Sequence, residues 1–225
     1  MVRTNDEPTS RPQRLVISPC LPSSWAIRKA ASVLRQGGLV AFPTDTLYAL
    51  GADASNTLAI KRVFAAKGRS PATPIPLLVS DLTMAIRMTG DLPDSVARLV
   101  ERYWPGPLTL LVAAPPGISR LLISGTGRIG LRVPDAPVAL DLIRCLGRPV
   151  TGTSANRSAG RQPKDADEVY RQLRHRVDLI LDGGTVPIGS PSTVVDVTVS
   201  PPRIVREGIL PRAAIMKAFG KHQKI

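Results

Sequence analysis

Aromatic residues are scarce in this chain: two Trp, three Tyr and three Phe among 225 residues. That is too few for a platform that stacks the bases of a single strand. Only two cysteines occur, Cys20 and Cys145, with no CxxC. A disulfide framework is excluded, and a reducing, cytoplasmic compartment is the expectation. The two histidines, His175 and His222, have no neighbours at metal-ligand spacing, so no metal site is expected. The chain also lacks a GxSxG nucleophile elbow, a GxxxxGK[ST] phosphate loop and a GxGxxG following a strand. No apolar run approaches the roughly 20 residues that span a bilayer, so no membrane association is expected. Residues 1–14 are polar, carry Asp6 and Glu7 and have no apolar core, and they read as a disordered leader rather than a signal peptide.

Positive charge, by contrast, is abundant. Thirty Lys and Arg stand against 17 Asp and Glu, a formal charge of +13. Such an excess concentrates anions such as phosphates, nucleotides or RNA, although a plain solvated basic surface has the same composition. A chain of this length buries a core without covalent staples. Its 22 prolines and 18 glycines are dispersed and punctuate short elements.

Those elements alternate. Ser24 is placed to cap a helix over Trp25–Arg35, stopped by Gly37-Gly38 and followed by a strand over Leu39–Phe42. Asn56 is placed to cap a helix over Leu58–Ala66, which Gly68 closes. Strands are predicted over Pro76–Val79, Leu108–Ala113, Ile129–Val133, Pro149–Thr153, Val177–Leu181, Thr193–Val197 and Arg203–Arg206. Helices are predicted over Asp81–Met88, Pro93–Tyr103, Val138–Leu146, Asp165–Leu173 and Arg212–Phe219, the last with a basic tail to 225. The pattern is that of an α/β protein with a mixed sheet, undivided by any linker. The domain is expected over 15–211. In such sheets ligands sit beyond the carboxyl ends of strands, where Thr44–Tyr48 and Ser154–Asn156 both fall.

Two polar segments carry the chemistry. Lys67-Gly68-Arg69 follows one helix, and Thr153-Ser154-Ala155-Asn156 closes one strand. Two cations, hydroxyls and an amide suit an anionic ligand such as a nucleotide phosphate, not a metal cage or a nucleophilic triad. Taken singly, the basic pair is ordinary helix C-terminal charge and the Ser/Asn pair ordinary turn chemistry.

Their company is more specific. Pro43-Thr44-Asp45-Thr46-Leu47-Tyr48 precedes the first segment, and Trp104-Pro105-Gly106-Pro107-Leu108-Thr109-Leu110 and Gly130-Leu131-Arg132-Val133-Pro134 separate it from the second. Ser192-Thr193-Val194-Val195-Asp196 and Ile204-Val205-Arg206-Glu207-Gly208 follow. This ordered series, running from about Ser24 to Leu210, resembles the YrdC family of threonylcarbamoyl-AMP synthases. The resemblance implies a single-domain, twisted α/β fold with a basic central cavity. It also implies synthesis of L-threonylcarbamoyladenylate from L-threonine, bicarbonate and ATP, with release of pyrophosphate. The product would feed threonylcarbamoyl-adenosine modification of tRNA through transfer proteins, with Mg²⁺ expected on the ATP.

Carried over by position, the resemblance implies that Lys67 and Arg69 are catalytic and face the ATP phosphates. Thr73, Ser154, Asn156 and Arg206 would join them on the nucleotide. Thr44, Thr46, Tyr48, Arg132 and Ser192 would line the threonine side. The chain departs from the common pattern at Thr73, where Asn is frequent, at Leu78, where a histidine is frequent, and at Arg128, where Thr often opens the central strand. Two other readings fit the charge. One is a module for double-stranded RNA or tRNA. The other is a carbamoyl-adenylate-forming enzyme of the hydrogenase-maturation type, although the zinc-finger cysteines of those proteins are missing.

Overall fold

A computed structural model describes residues 11–90, 92 and 94–219. Most of the expected leader (residues 1–10), His222 and the tail from 220 lie outside the described residues.

The first elements among the described residues are a strand, β1 (Gln13–Val16), and a helix, α1 (Ser24–Arg35). The strand reaches into the segment expected to be a disordered leader. It lies parallel to a strand late in the chain, and Arg14 pairs with Asp182 and Asp167. The N-cap of α1 is Ser23 rather than Ser24, and its side chain makes no capping bond. The helix buries Ala26, Ile27, Ala30, Ala31 and Leu34, one apolar stripe at helical spacing.

Next come β2 (Val40–Phe42), β3 (Ala49–Gly51) and α2 (Thr57–Lys67). Asn56 caps α2 as expected, its Oδ1 accepting from Leu58 N and Ala59 N at 3.0 Å each. Gly68 ends the helix in the left-handed region at φ 58°, which a side chain would strain. The middle of the chain supplies β4 (Leu77–Leu78), α3 (Leu82–Thr89), α4 (Asp94–Tyr103), β5 (Leu108–Ala113), a single turn α5 (Arg120–Ile123), β6 (Arg128–Arg132) and α6 (Pro137–Leu146). The remainder is β7 (Val150–Thr151), β8 (Thr153–Ser154), α7 (Ala166–Leu173), β9 (Leu179–Asp182), β10 (Thr193–Asp196), β11 (Arg203–Arg206) and α8 (Arg212–Phe219).

The fold class is the α/β class expected, but the strands divide between two mixed sheets. One has the order β1-β9-β2-β3-β8, the other β11-β10-β5-β6-β4-β7. The side chains of β2 alternate as a pleated strand requires. Val40 and Phe42 join a core under α1 and α6, while Ala41 joins a larger core with α2, α4 and α7.

The strand expected over Pro149–Thr153 is the seam between the sheets. Thr151 pairs with Leu77 in one sheet, and Thr153 pairs with Leu50 in the other. Gly152 turns the corner between them. A Cβ there would lie 2.7 Å from Leu78 Cγ, so only glycine lets the strand change sheets at this point.

Candidate functional site

A cavity of about 340 Å³ opens between the two sheets. Four walls build it, and the sequence explains each.

The first wall is the loop between β2 and β3. Thr44 Oγ1 donates to Leu47 O at 2.7 Å and accepts from the amides of Thr46 and Leu47 at 3.2 Å each. This is the local turn that a threonine hydroxyl favours. Neighbouring loops pin the turn: Ile188 N donates to Asp45 O and Gly189 N to Thr46 O. Tyr48 fastens it further. Its hydroxyl donates to Gly184 O at 2.7 Å and accepts from Gly183 N at 3.1 Å. Tyr48 therefore gives its ring to the wall, and its hydroxyl is committed to the backbone. Burial pushes its phenol well above the ordinary value.

The second wall is the end of β6. Arg132 is buried, and it donates from Nε to Gly106 O at 2.9 Å, from Nη1 to Thr46 Oγ1 at 2.7 Å and from Nη2 to Asp45 Oδ1. A guanidinium has five N–H groups, so two remain for a ligand. Burial lowers the Arg132 pKa, and the Asp45 carboxylate opposes that fall. Asp45 Oδ2 is buried without a partner.

The third wall joins β5, β10 and β11. Thr109 Oγ1 and Ser192 Oγ lie 2.8 Å apart, and Arg206 donates to Ser192 O at 2.8 Å and to Ser192 Oγ at 3.1 Å.

The fourth wall is formed by Arg69 and β8. Arg69 Nη1 donates to Thr153 Oγ1 at 3.1 Å and Nη2 to Pro74 O at 2.7 Å, while its Nε is buried unpartnered. Burial lowers the pKa of both Arg69 and Arg206. Arg206 adds to the effect at Arg69, and Arg132 adds to it at Arg206. These mutual repulsions mark three positive groups around one space. An apolar floor of Pro74, Pro76, Leu78, Leu111 and Val194 completes the lining, to which the described residues contribute no carboxylate.

Of the residues expected at the site, the structure brings Thr44, Thr46, Tyr48, Arg69, Arg132, Ser154, Ser192 and Arg206 to this one cavity. It does not bring three others. Thr73 is exposed on the loop after α2. Lys67 and Asn156 stand behind the wall. Lys67 is only 3% exposed, and its ammonium donates to Ser154 O, to Asn156 O at 2.8 Å and to Asn156 Oδ1 at 3.3 Å. Burial, with a smaller push from the Arg69 charge, lowers Lys67 to about 7. Asn156 Nδ2 donates to Arg157 O and Gly160 O, which orders the turn after β8.

Two departures also find places. Leu78 is part of the apolar floor. Arg128 donates to Asp196 Oδ2. Burial alone would raise the Asp196 carboxyl, but hydrogen bonds from Thr198 and Arg128 hold it below its ordinary value.

Asp45 and Thr153, which aim Arg132 and Arg69, have no role of their own in the motif assignments. Both lie inside the quoted motifs, next to residues that were singled out, and that adjacency was the available signal. Thr109, inside the Trp104–Leu110 motif, also lines the cavity, as does Gln162, which no motif marks.

A family model described as Sua5_yciO_yrdC, telomere recombination, matches residues 32–208. The chain belongs to this Sua5/YciO/YrdC family. A threonylcarbamoyl-AMP synthase of Pyrococcus abyssi is 38% identical over 197 residues, which are 88% of this chain and 58% of that protein. The chain thus spans well under two thirds of that relative's length. The crystal structure of P. abyssi Sua5 complexed with L-threonine matches with a TM-score of 0.88 at 36% identity, over 92% of this chain and 61% of that one. Escherichia coli YciO matches with a TM-score of 0.83 at 30% identity, over 92% of this chain and 99% of that one. The family's α/β fold with mixed sheets and flanking helices is the fold of this chain. Among the described residues, no helix is long and apolar enough to cross a membrane.

Proposed function

We propose that this chain forms L-threonylcarbamoyladenylate from L-threonine, bicarbonate and ATP, releasing pyrophosphate and water. One observation carries the reading. A family member whose Pyrococcus relative was crystallised with L-threonine encloses three arginines and a ring of hydroxyls in a cavity with no acidic lining.

The chemistry explains the lining. Threonine's amine captures the bicarbonate-derived carbon as a carbamate. A carbamate oxygen then attacks the α-phosphorus, and the bond to pyrophosphate breaks. Both reactants are anions, and their mutual repulsion is the main electrostatic cost. Preorganised cations in a water-poor site offset it. We assign Arg69, Ser154 and Arg206 to the nucleotide. Thr44, Thr46, Arg132 and Ser192 take the threonine side, and the Tyr48 ring closes that wall. The arginine pair Arg69 and Arg206 stabilises charge accumulating on the departing pyrophosphate. No side-chain nucleophile is required, so rate comes from positioning and electrostatics.

Magnesium fits only as a companion of the substrate. The lining supplies no carboxylate, and the described residues contain no cluster of three or more His, Cys, Asp or Glu. The ion would therefore arrive on the ATP phosphates, which magnesium favours. Enclosure of the cations favours an enzyme over an RNA module, whose charges would lie on an open surface. Transfer of the product to tRNA-modifying proteins is part of the proposal.

The test is direct. The purified chain is incubated with threonine, ¹³C-bicarbonate and ATP, and the products are read by mass spectrometry. Labelled threonylcarbamoyladenylate is the expected result. Adenylate formed only with carbamoyl phosphate, or no adduct at all, overturns the reading.

A further inference from the structure

Lys67 is the one strongly conspicuous cation of the motif series that does not reach the cavity, and its surroundings say what it does instead. It is the last residue of α2, immediately before the left-handed Gly68. Its three ammonium protons face three oxygens, Ser154 O, Asn156 O and Asn156 Oδ1. An ammonium has three donors, so none is left over. Its own carbonyl accepts from Ser158 N at 2.8 Å. The end of α2 thus grips the turn after β8 twice, once by the side chain and once by the backbone. None of the three acceptors is a carboxylate, and the described residues give Lys67 no ion pair.

The gripped turn is what presents the nucleotide wall. Ser154 Oγ donates to Asn156 Oδ1 at 2.6 Å, the same oxygen that faces the lysine. Thr153, one residue earlier, accepts from Arg69. The chain of contacts therefore runs from Lys67 through Asn156 to Ser154, and through β8 to Thr153 and Arg69. A buried cation is costly without compensation, and here only the oxygens of this turn compensate it.

We infer that Lys67 is a positioning residue: it clamps the Ser154–Asn156 turn to the end of α2 and acts on the substrate only through Ser154 and Arg69. This rests on the proposed adenylate chemistry for its effect on turnover, but the clamp itself does not depend on it. In consequence the two cations of the Lys67-Gly68-Arg69 segment have opposite orientations. One holds the wall from behind, and the other forms its face.

The test uses Lys67→Met, Lys67→Arg and Asn156→Ala. Amide hydrogen exchange needs no activity. In Lys67→Met the amides of residues 155–158 should exchange at least about tenfold faster, while those of α1 and α6 stay protected. Unchanged exchange in the turn overturns the clamp even if the adenylate chemistry is right. Loss of the adduct in the wild-type chain with the turn responding as stated overturns only the proposed function.

Where turnover is measurable, Lys67→Met should raise the KM for ATP by about tenfold or more, the scale of lost charged hydrogen bonds, with a smaller change in kcat. Asn156→Ala added to it should cost little more, because both variants open one turn. Lys67→Arg should not rescue, since a flat guanidinium does not match three converging oxygens at a sealed site. Rescue by arginine, or independent losses in the double variant, would mean that Lys67 meets the phosphates itself.

Discussion

The two ends of the cavity hold arginines under opposite conditions. At one end Arg132 is paired with the Asp45 carboxylate and tied to Thr46, so the group is electrically closed before any ligand arrives. At the other end Arg69 and Arg206 are held by carbonyls and hydroxyls, and neither has a carboxylate partner among the described residues. The closed end offers shape and two directed N–H groups. The open end offers uncompensated charge. Under the proposed function, a zwitterionic amino acid suits the first and a polyphosphate the second, so the difference would sort the two substrates along the cavity. Ser192 sits at the boundary, touching Thr109 on one side and Arg206 on the other.

The most damaging way to break this comparison is to open the closed end. Asp45→Asn leaves Arg132 buried without its counter-charge and should cost about 3 kcal/mol or more of stability, as breaking buried pairs does. The urea midpoint reads this directly, and a loss below about 1 kcal/mol would place the pair among ordinary surface bridges. Removing charge from the open end should act on rate instead. Arg69→Ala should slow threonine-dependent pyrophosphate release by about a hundredfold, the scale of one preorganised contact to developing charge, with little change in the urea midpoint. Near wild-type release would show that the open end is not where the phosphates sit.

Tyr48→Phe sharpens the closed end without touching charge. It leaves Gly183 N and Gly184 O without their shared partner, at a cost of about 1–2 kcal/mol. If threonine binding survives in proportion to folding, Tyr48 is a fastener of the loop and not a ligand contact.

A pH slope tests the buried lysine separately. Lys67 falls to about 7 in the fold from an ordinary 10.5. Between those values the unfolded chain binds the extra proton, so stability should rise with pH from about 7 towards 10 relative to Lys67→Met. A flat difference between the two across that range would mean that the lysine keeps its charge in the fold without penalty.

Much of this was legible in the residues. Asn56 and Gly68 bracket α2 because an Asx side chain satisfies helix amides and a glycine tolerates positive φ. Both signals are local. The motifs likewise led to Arg69, Arg132, Arg206 and their hydroxyl neighbours. What escaped depends on distant partners. Residues 13 and 14 look like leader until Asp182, far along the chain, pairs with Arg14 and brings β9 alongside. Ala49-Leu50-Gly51 has no β-branched residue, and it is a strand because β2 and β8 flank it. The break of one expected strand at Gly152 is set by the position of Leu78. Lys67 shows the same limit at the site: sequence places a cation next to a phosphate motif, but only packing decides which way the cation points.

The sorting of substrates along the cavity is the central claim, and calorimetric titration of Arg69→Ala and Thr46→Val with ATP and with L-threonine tests it most directly. Thr46→Val removes the hydroxyl that meets Arg132 while keeping its shape. The account predicts that Arg69→Ala loses ATP and retains threonine, and that Thr46→Val loses threonine and retains ATP. Equal losses of both ligands in both variants, or the reverse pattern, would contradict it.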